Sequence, residues 1–490
     1  MHEESTSLWQ RSAATLLGMV MRRHRLRGMA LKAIEKQIYH ELMERNPDRC
    51  PLRSQEDKYH LMCNLLHSFN QTLEEDRISR SVQEAVSHIF VDQVLVGDLD
   101  RINAFKQAHG FVPPALLTIS PGKRCNLRCT GCYASSSGLD AAMLDYAVVD
   151  RIVREQRECW GSHFTVISGG EPLMWRSQGK DIVDLAAAHP DTYFMMYTNG
   201  TLIDQDMACR MGDVGNLSPA ISIEGFEQET DARRGKGVHR RILSAFEHLR
   251  DAGVPFGVSI TAIRDNAELI VSDPFVDFYF KEQGAIYGWI FQYMPIGRRY
   301  TLDLMVTPEQ RLHMYQGMQR LIREKEVFLA DFWNSGPAAN GCIAGGRSGG
   351  YFYIDWNGNV SPCVFFPYAV DNIIQVYEKG GDLNTVLMSP FFEAIRRWQQ
   401  EYGYGKPPDE VSNQIVPCPI RDHHLEAMAY VRQFGARPMD EAAAEALEDE
   451  AYHRGLAAHG EAFDALTRDI WEEEYVGPER ERAAHAWKAA

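Results

Sequence analysis

The sequence predicts an α/β protein, a partial (β/α)6 TIM-like barrel between a helical N-terminal region and a C-terminal extension. Three observations predict it. Residues 1–112 carry apolar residues at three- and four-residue steps, with no strand-like alternation. From Pro113-Pro114 onward, short apolar runs end in Gly, Ser or Asn and alternate with amphipathic stretches. Six such alternations imply parallel strands with right-handed crossovers, and six units suit an open barrel better than a closed eight-unit one.

The elements follow in chain order. Helices fit residues 27–45 and 56–75. Strands are expected near 115–120, 163–168, 192–198, 220–223, 256–263 and 286–294. Helices fit between them, most clearly at 146–159, 237–252 and 268–283. Beyond Leu304 the periodicity is helical, clearest through 309–326. A Gly- and aromatic-rich stretch follows at 341–368. Within it, 351–360 reads as a hairpin with an Asn-Gly turn at Asn357-Gly358. After Arg432 the chain is rich in Ala and Glu and helical. The expected divisions are therefore 1–112, 113–302, 303–430 and 431–490, with no internal repeat.

Composition narrows the function. The 490 residues hold 51 Lys+Arg against 67 Asp+Glu, a net charge of −16. That balance argues against general nucleic-acid binding, which needs a basic footprint. At 45% hydrophobic and 24% charged residues the chain has the make-up of a folded soluble protein. No apolar run reaches the ~18 residues of a membrane span. The apolar stretch 13–21 precedes its basic residues, the reverse of a secretory signal, so a cytoplasmic location is expected. Arg11, Arg22, Arg23, Arg25 and Arg27 flank apolar Leu8, Leu16, Met19 and Val20. A helix of that kind either lies in a membrane interface, giving a peripheral contact, or packs on the barrel with a solvated arginine rim. Residues 431–490 are read as a solvated acidic helical tail.

Ten cysteines are too few for a disulfide scaffold. Cys125, Cys129 and Cys132 form a C-x3-C-x2-C cluster directly after the first expected strand. Three thiolates on one short loop can ligate three irons of a cubane cluster and leave the fourth iron free for chemistry. Zinc needs four ligands, and no fourth Cys or His lies in the loop. Cys342, Cys363 and Cys418 form a second, dispersed set. Cys50, Cys63, Cys159 and Cys209 read as core residues.

The first loop resembles the signature of the radical S-adenosylmethionine (SAM) superfamily. The aromatic residue often found before the third Cys is Gly131 here, with Tyr133 after it. The second strand ends in Ser168-Gly169-Gly170-Glu171-Pro172, similar to the family's GGEP motif, which implies that Gly169, Gly170, Glu171 and Pro172 hold the methionyl amine of SAM. Ser222-Ile223-Glu224-Gly225 followed by Thr230 to Arg234 resembles a further family pattern, implying Ser222 and Arg234 as SAM contacts, with Arg234 forking onto its carboxylate. Asn199, at the end of the third strand, reads equally as a cap or a ligand. The spacing C-x15-G-x4-C from Cys342 to Cys363 is similar to the opening of the SPASM domain, here in a shortened, twitch-like form. The resemblance implies a probable second, auxiliary 4Fe–4S cluster on Cys342, Cys363 and Cys418. Its fourth position is open to substrate or filled by Asp422, His423, His424 or another group.

These likenesses imply an enzyme that cleaves SAM reductively at a 4Fe–4S cluster and abstracts hydrogen from a substrate carbon. A reductant protein such as ferredoxin or flavodoxin is implied. The substrate is expected to be a peptide or small molecule, with a lipid or isoprenoid as the alternative. Tyr293, Arg298 and Asp355 are candidate substrate contacts, each with a core or surface role as the competing reading. A non-catalytic electron carrier would explain the cysteines but not residues 169–172 or Arg234.

Overall fold

The computed structural model describes residues 27–90 and 98–489. The amphipathic N-terminal segment that carries Leu8 to Arg25 lies outside the described residues. The N-terminal helices include α1 (Arg27–Tyr39) and α2 (Leu52–Glu74), followed by a short helix at Arg80–Val86 and by α3 (Leu99–His109). Only helices occur among the described residues before Pro113, as the periodicity predicts.

The barrel begins with β1 (Leu116–Ile119), α4 (Tyr146–Trp160), β2 (Phe164–Ile167), α5 (Ile182–Ala188) and β3 (Tyr193–Thr198). It continues through α6 (Gln205–Val214), β4 (Leu217–Ile223), α7 (Glu227–Arg234), α8 (Val238–Asp251), β5 (Gly257–Ala262) and β6 (Gly288–Gln292). These strands are parallel and in sequence order. Helix starts follow local chemistry. Asp181 and Asp184 form a reciprocal capping box at α5, and Asp204 accepts from the Met207 N–H at α6. Gly161, with φ 63°, closes α4 in the left-handed region.

The expected six-strand barrel gains a seventh parallel strand. After α9 (Pro308–Arg320), β7 (Leu329–Asp331) pairs with β6, so the barrel sheet runs past the expected division at 302. On the opposite edge, β8 (Tyr353–Ile354) pairs parallel with β1 and antiparallel with β9 (Asn359–Ser361). The predicted hairpin is thus joined to the barrel. Its turn is a three-residue loop in which Gly358 takes φ 80° and Asp355 accepts the N–H groups of Asn357 and Asn359, both at 2.8 Å. Asp355 is a buried turn residue, the core role of its two expected readings. Strands β10 (Tyr368–Ala369) and β11 (Asp371–Asn372) follow, then α10 (Pro390–Tyr402), α11 (His424–Gln433), β12 (Arg437–Pro438) and α12 (Glu450–Ile470).

Three other expectations change. The helix expected over 268–283 starts only at Asp273, after a separate turn at Leu269–Val271, with Pro274 at its first positions where a missing N–H is tolerated, and it ends as a π turn at Glu282. The acidic C-terminal region is helical but packed. Tyr452, Leu456 and Phe463 of α12 are buried, and so are Trp471 and Tyr475, which pack against Tyr315, Val411 and Ile415. None of its described acids is fully buried. Cys50 and Cys63 are core residues as expected and Cys159 is half-buried, but Cys209, on the outer side of α6, is exposed. Among the described residues no helix is long and apolar enough to cross a membrane.

Candidate functional site

The loop after β1 brings Cys125, Cys129 and Cys132 to the C-terminal end of the barrel, where they line one cavity of about 250 Å3. Neighbouring backbone fixes the loop. The Cys125 N–H donates to Ser137 O at 3.0 Å and the Thr130 N–H to Arg233 O at 3.1 Å. Arg298 donates to the carbonyls of Cys129 (2.7 Å) and Ser136, so it braces the loop. Tyr293 lines the cavity, with its hydroxyl donating to Arg299 O at 2.6 Å.

Gly169 and Gly170 also line the cavity, and their small size serves the loop. A Cβ on Gly170 would stand 2.1 Å from Lys123 O and 2.3 Å from Arg124 O, both backbone atoms. The Gly170 N–H donates to Gly122 O at 2.9 Å. Glu171 lies behind the wall, fully buried. Its carboxylate accepts from Thr198 Oγ1 (2.7 Å), the Asn199 N–H (2.8 Å) and the Leu173 N–H (3.1 Å). Burial pushes its carboxyl up, and these bonds partly offset the shift. Pro172 opens a short turn beyond the cavity wall.

Ser222 and Arg234 line the cavity, with Arg233 beside them. Sequence reasoning missed what holds them. Buried Glu224 accepts from Arg233 Nη1 at 2.6 Å and lies 2.5 Å from Arg234 Nη2. Two guanidiniums share one carboxylate, leaving positive charge beside the sulfurs. Arg234 Nη1 stands 4.0 Å from Cys129 Sγ. The Leu127 N–H donates to Cys125 Sγ at 3.4 Å, and Asn199 Nδ2 lies 3.8 Å from the same atom. Asn199 also caps the turn, accepting from the Thr201 N–H at 2.9 Å, the capping role of its two expected ones. Burial pushes the Cys125 thiol up to about 12, so a metal must displace the proton. Three thiols, inward N–H donors and surplus cations fit an anionic iron–sulfur cluster with one open iron. Among the described residues no three His, Cys, Asp or Glu side chains gather tightly enough to hold a single metal ion.

Cys342, Cys363 and Cys418 line a second cavity of about 220 Å3. Tyr351 joins the two sites: its hydroxyl lies 2.9 Å from Cys363 Sγ, and it lines the first cavity. Burial pushes Cys363 up to about 12 and raises Cys342 and Cys418 too. Of the suggested fourth ligands, Asp422 is committed to Arg311 at 2.6 and 3.2 Å. His424 uses one ring nitrogen on Ile420 O and the other on His453. His423 Nε2 bonds Val416 O at 2.9 Å. None of the three lines the cavity. Arg421 follows Cys418 closely and is fully buried. Its guanidinium stands 5.1 Å from the Trp333 ring, and none of its three nitrogens has a hydrogen-bond partner. Burial, with Arg311 close by, lowers its pKa to about 9. An orphaned guanidinium close to the Cys418 thiol fits a negatively charged cluster at this site.

Comparison with known proteins agrees with this geometry. Residues 119–270 match the Radical SAM superfamily. An AdoMet-dependent heme synthase from Methanosarcina barkeri is 29% identical over 289 residues, 53% of this chain and 79% of that one. The sporulation killing factor maturation protein SkfB of Bacillus subtilis is 26% identical over 196 residues, 40% of this chain and 47% of its own length. The crystal structure of Streptococcus suis SuiB bound to S-adenosylmethionine superposes with a TM-score of 0.50 at 17% identity, covering 65% of this chain and 75% of that one. The likeness to SuiB is one of fold.

Proposed function

We propose, for a chain whose residues 119–270 match the radical SAM superfamily, that the cavity ringed by Cys125, Cys129 and Cys132 is where a substrate carbon loses hydrogen. Members of this superfamily are enzymes that use SAM and a 4Fe–4S cluster. When bound and reduced, that cluster supplies the electron that cleaves SAM to a 5′-deoxyadenosyl radical, which takes a hydrogen atom from substrate. The chain's own residues supply the rest. Ser222 and Arg234 orient SAM from the ends of β4 and α7. The Gly169-Gly170 turn keeps the cysteine loop close to the sheet, and Glu171 fixes the end of β3 from behind. Aromatic walls, including Tyr133, Phe291 and Phe365, exclude water from a reactive radical.

The observation that carries this reading is the convergence of three thiols, two glycines, Ser222 and Arg234 on one cavity. Cys342, Cys363 and Cys418 hold the auxiliary cluster in this reading, and Tyr351 stands between the two sites. That position suits electron transfer from a substrate radical. A small protein such as ferredoxin or flavodoxin supplies the reducing electron. Against a bare electron carrier stand the SAM-side residues, which such a protein has no use for. Anaerobic reconstitution with iron, sulfide, dithionite and SAM tests the reading. It predicts 5′-deoxyadenosine in the wild type and none in a Cys125→Ala protein; equal yields from both refute it.

A further inference from the structure

What the radical acts on is legible at the other end of the barrel. At the N-terminal ends of the strands a cavity of about 370 Å3 opens between α1, α2 and the sheet. Ile34, Leu66 and Phe69 line it from the helices, and Tyr193, Ile286 and Phe328 from the sheet side. Arg27, at the start of α1, is the one charged side chain on its wall among the described residues. The space is continuous in its walls with the catalytic cavity. Phe164, Met195 and Trp289 line both. The catalytic cavity itself reaches from the cysteine loop down to Leu116 and Phe164, the first residues of β1 and β2.

A barrel of this kind normally fills its interior with layered side chains. Here the rings of Phe164, Tyr193, Trp289 and Phe291 border the cavities, packed on neighbouring rings (Phe164 on Tyr193, Trp289 on Phe328, Phe291 on Tyr197), and stay part-buried, while their outward neighbours Thr165, Phe194, Ile290 and Gln292 are buried. Taken end to end, the two cavities span the strands, ~13 Å for four residues, and a helix layer of ~10 Å, with Phe164, Met195 and Trp289 between them. A peptide threaded there would bury its N–H and C=O groups without partners, because the walls offer few polar atoms. A macrocycle bearing carboxylates would find only Arg27 along the outer cavity. A hydrocarbon chain leaves nothing unsatisfied and gains from every methylene it buries.

We infer that this channel takes the long alkyl or isoprenoid chain of a lipid substrate, with the reacting carbon carried past Trp289 to the cysteine cavity. The inference rests on the proposed radical chemistry of that cavity. The binding step needs no chemistry and is tested without it.

The test uses the full-length, iron-loaded protein and cis-parinaric acid, a fatty acid whose fluorescence rises in an apolar site. Two variants obstruct the channel at positions that are not fully buried, Ala30→Trp on α1 and Leu66→Glu on α2. The wild type should take up the probe saturably. Both variants should bind it at least ten-fold more weakly, with iron content and SAM affinity at wild-type values as the check on folding. Absence of uptake by an iron-loaded, SAM-binding wild type overturns the inference, as it would if the chain's first 26 residues filled the space. Equal affinity in the wild type and both variants overturns it as well. Probe uptake by a protein that never cleaves SAM would instead refute the proposed function and leave the lipid channel standing.

Discussion

Asp422→Asn removes the charge that holds the third cysteine of the second set in place. Asp422 Oδ1 lies 2.6 Å from Arg311 Nη1 and Oδ2 3.2 Å from Nη2, with both side chains fully buried. Oδ2 also accepts from the Cys418 N–H at 3.3 Å. Arg421, unpartnered, adds a second buried cation against the same carboxylate. The amide preserves size but leaves both guanidiniums uncompensated. Removing one partner of a buried pair costs about 3–5 kcal/mol, and at zero exposure solvent screening takes nothing off. For 490 residues, ~2.1 cal/mol/K each gives an unfolding entropy of ~1 kcal/mol/K. The melting temperature of the iron-loaded protein should therefore fall about 3–5 °C in a reversible thermal scan. Iron at the second site should fall with it, since the Cys418 loop loses its brace. Replacing the pair by apolar residues, Arg311→Met with Asp422→Leu, should recover much of the stability, because no charge is then left buried. An Asp422→Asn protein that melts within about 1 °C of wild type with full iron would refute the reasoning.

Three further outcomes follow from the same geometry. Gly170→Ala should displace the cysteine loop, since its Cβ would meet two backbone oxygens at 2.1 and 2.3 Å, and should weaken SAM binding at least ~10-fold by calorimetry; wild-type affinity would show that the loop does not need the glycine. Arg234→Lys keeps the charge but loses the planar fork, so the SAM Kd should rise ~10-fold with iron content unchanged; an unaltered Kd removes Arg234 from the SAM site. Tyr351→Phe deletes the 2.9 Å contact to Cys363 Sγ and should lower the potential of the second cluster by ~60 mV, the one-electron equivalent of ~1.4 kcal/mol, with iron retained. Redox titration followed by electron paramagnetic resonance reads that shift, and an identical potential would exclude Tyr351 as a donor to the sulfur.

Much of this molecule is written locally in its sequence. Each of the first six barrel strands lies within a few residues of its expected place, because an apolar run ending in Gly, Ser or Asn marks a buried parallel strand and its exit. The three-cysteine loop, the paired glycines, Ser222 and Arg234 are equally local. What was not legible depends on partners far along the chain. Strand Leu329–Asp331 is three residues long and only exists because β6 offers it an edge. The parallel pairing of Tyr353–Ile354 with β1 spans more than two hundred positions. The acidic charge of the C-terminal helices hid an apolar face that Tyr315 and Ile415 cover. Glu224 stands inside a motif that points to Ser222 and Arg234 but not to its sharing by two arginines, and the orphaned Arg421 carries no spacing signal at all. The hollow barrel interior is likewise invisible to periodicity, which marks a side chain as inward-facing but not whether anything faces it.

Iron and acid-labile sulfide counted per chain, in the wild type and in two variants, address the central claim most directly. Two cubane clusters require about eight irons in the fully reconstituted wild type. Replacing Cys125, Cys129 and Cys132 by Ala should leave about four, with no SAM-dependent change in the remaining paramagnetic signal. Replacing Cys342, Cys363 and Cys418 should also leave about four, with the SAM-dependent change intact. Either triple variant retaining the full wild-type iron would contradict the assignment of two cysteine sets to two clusters.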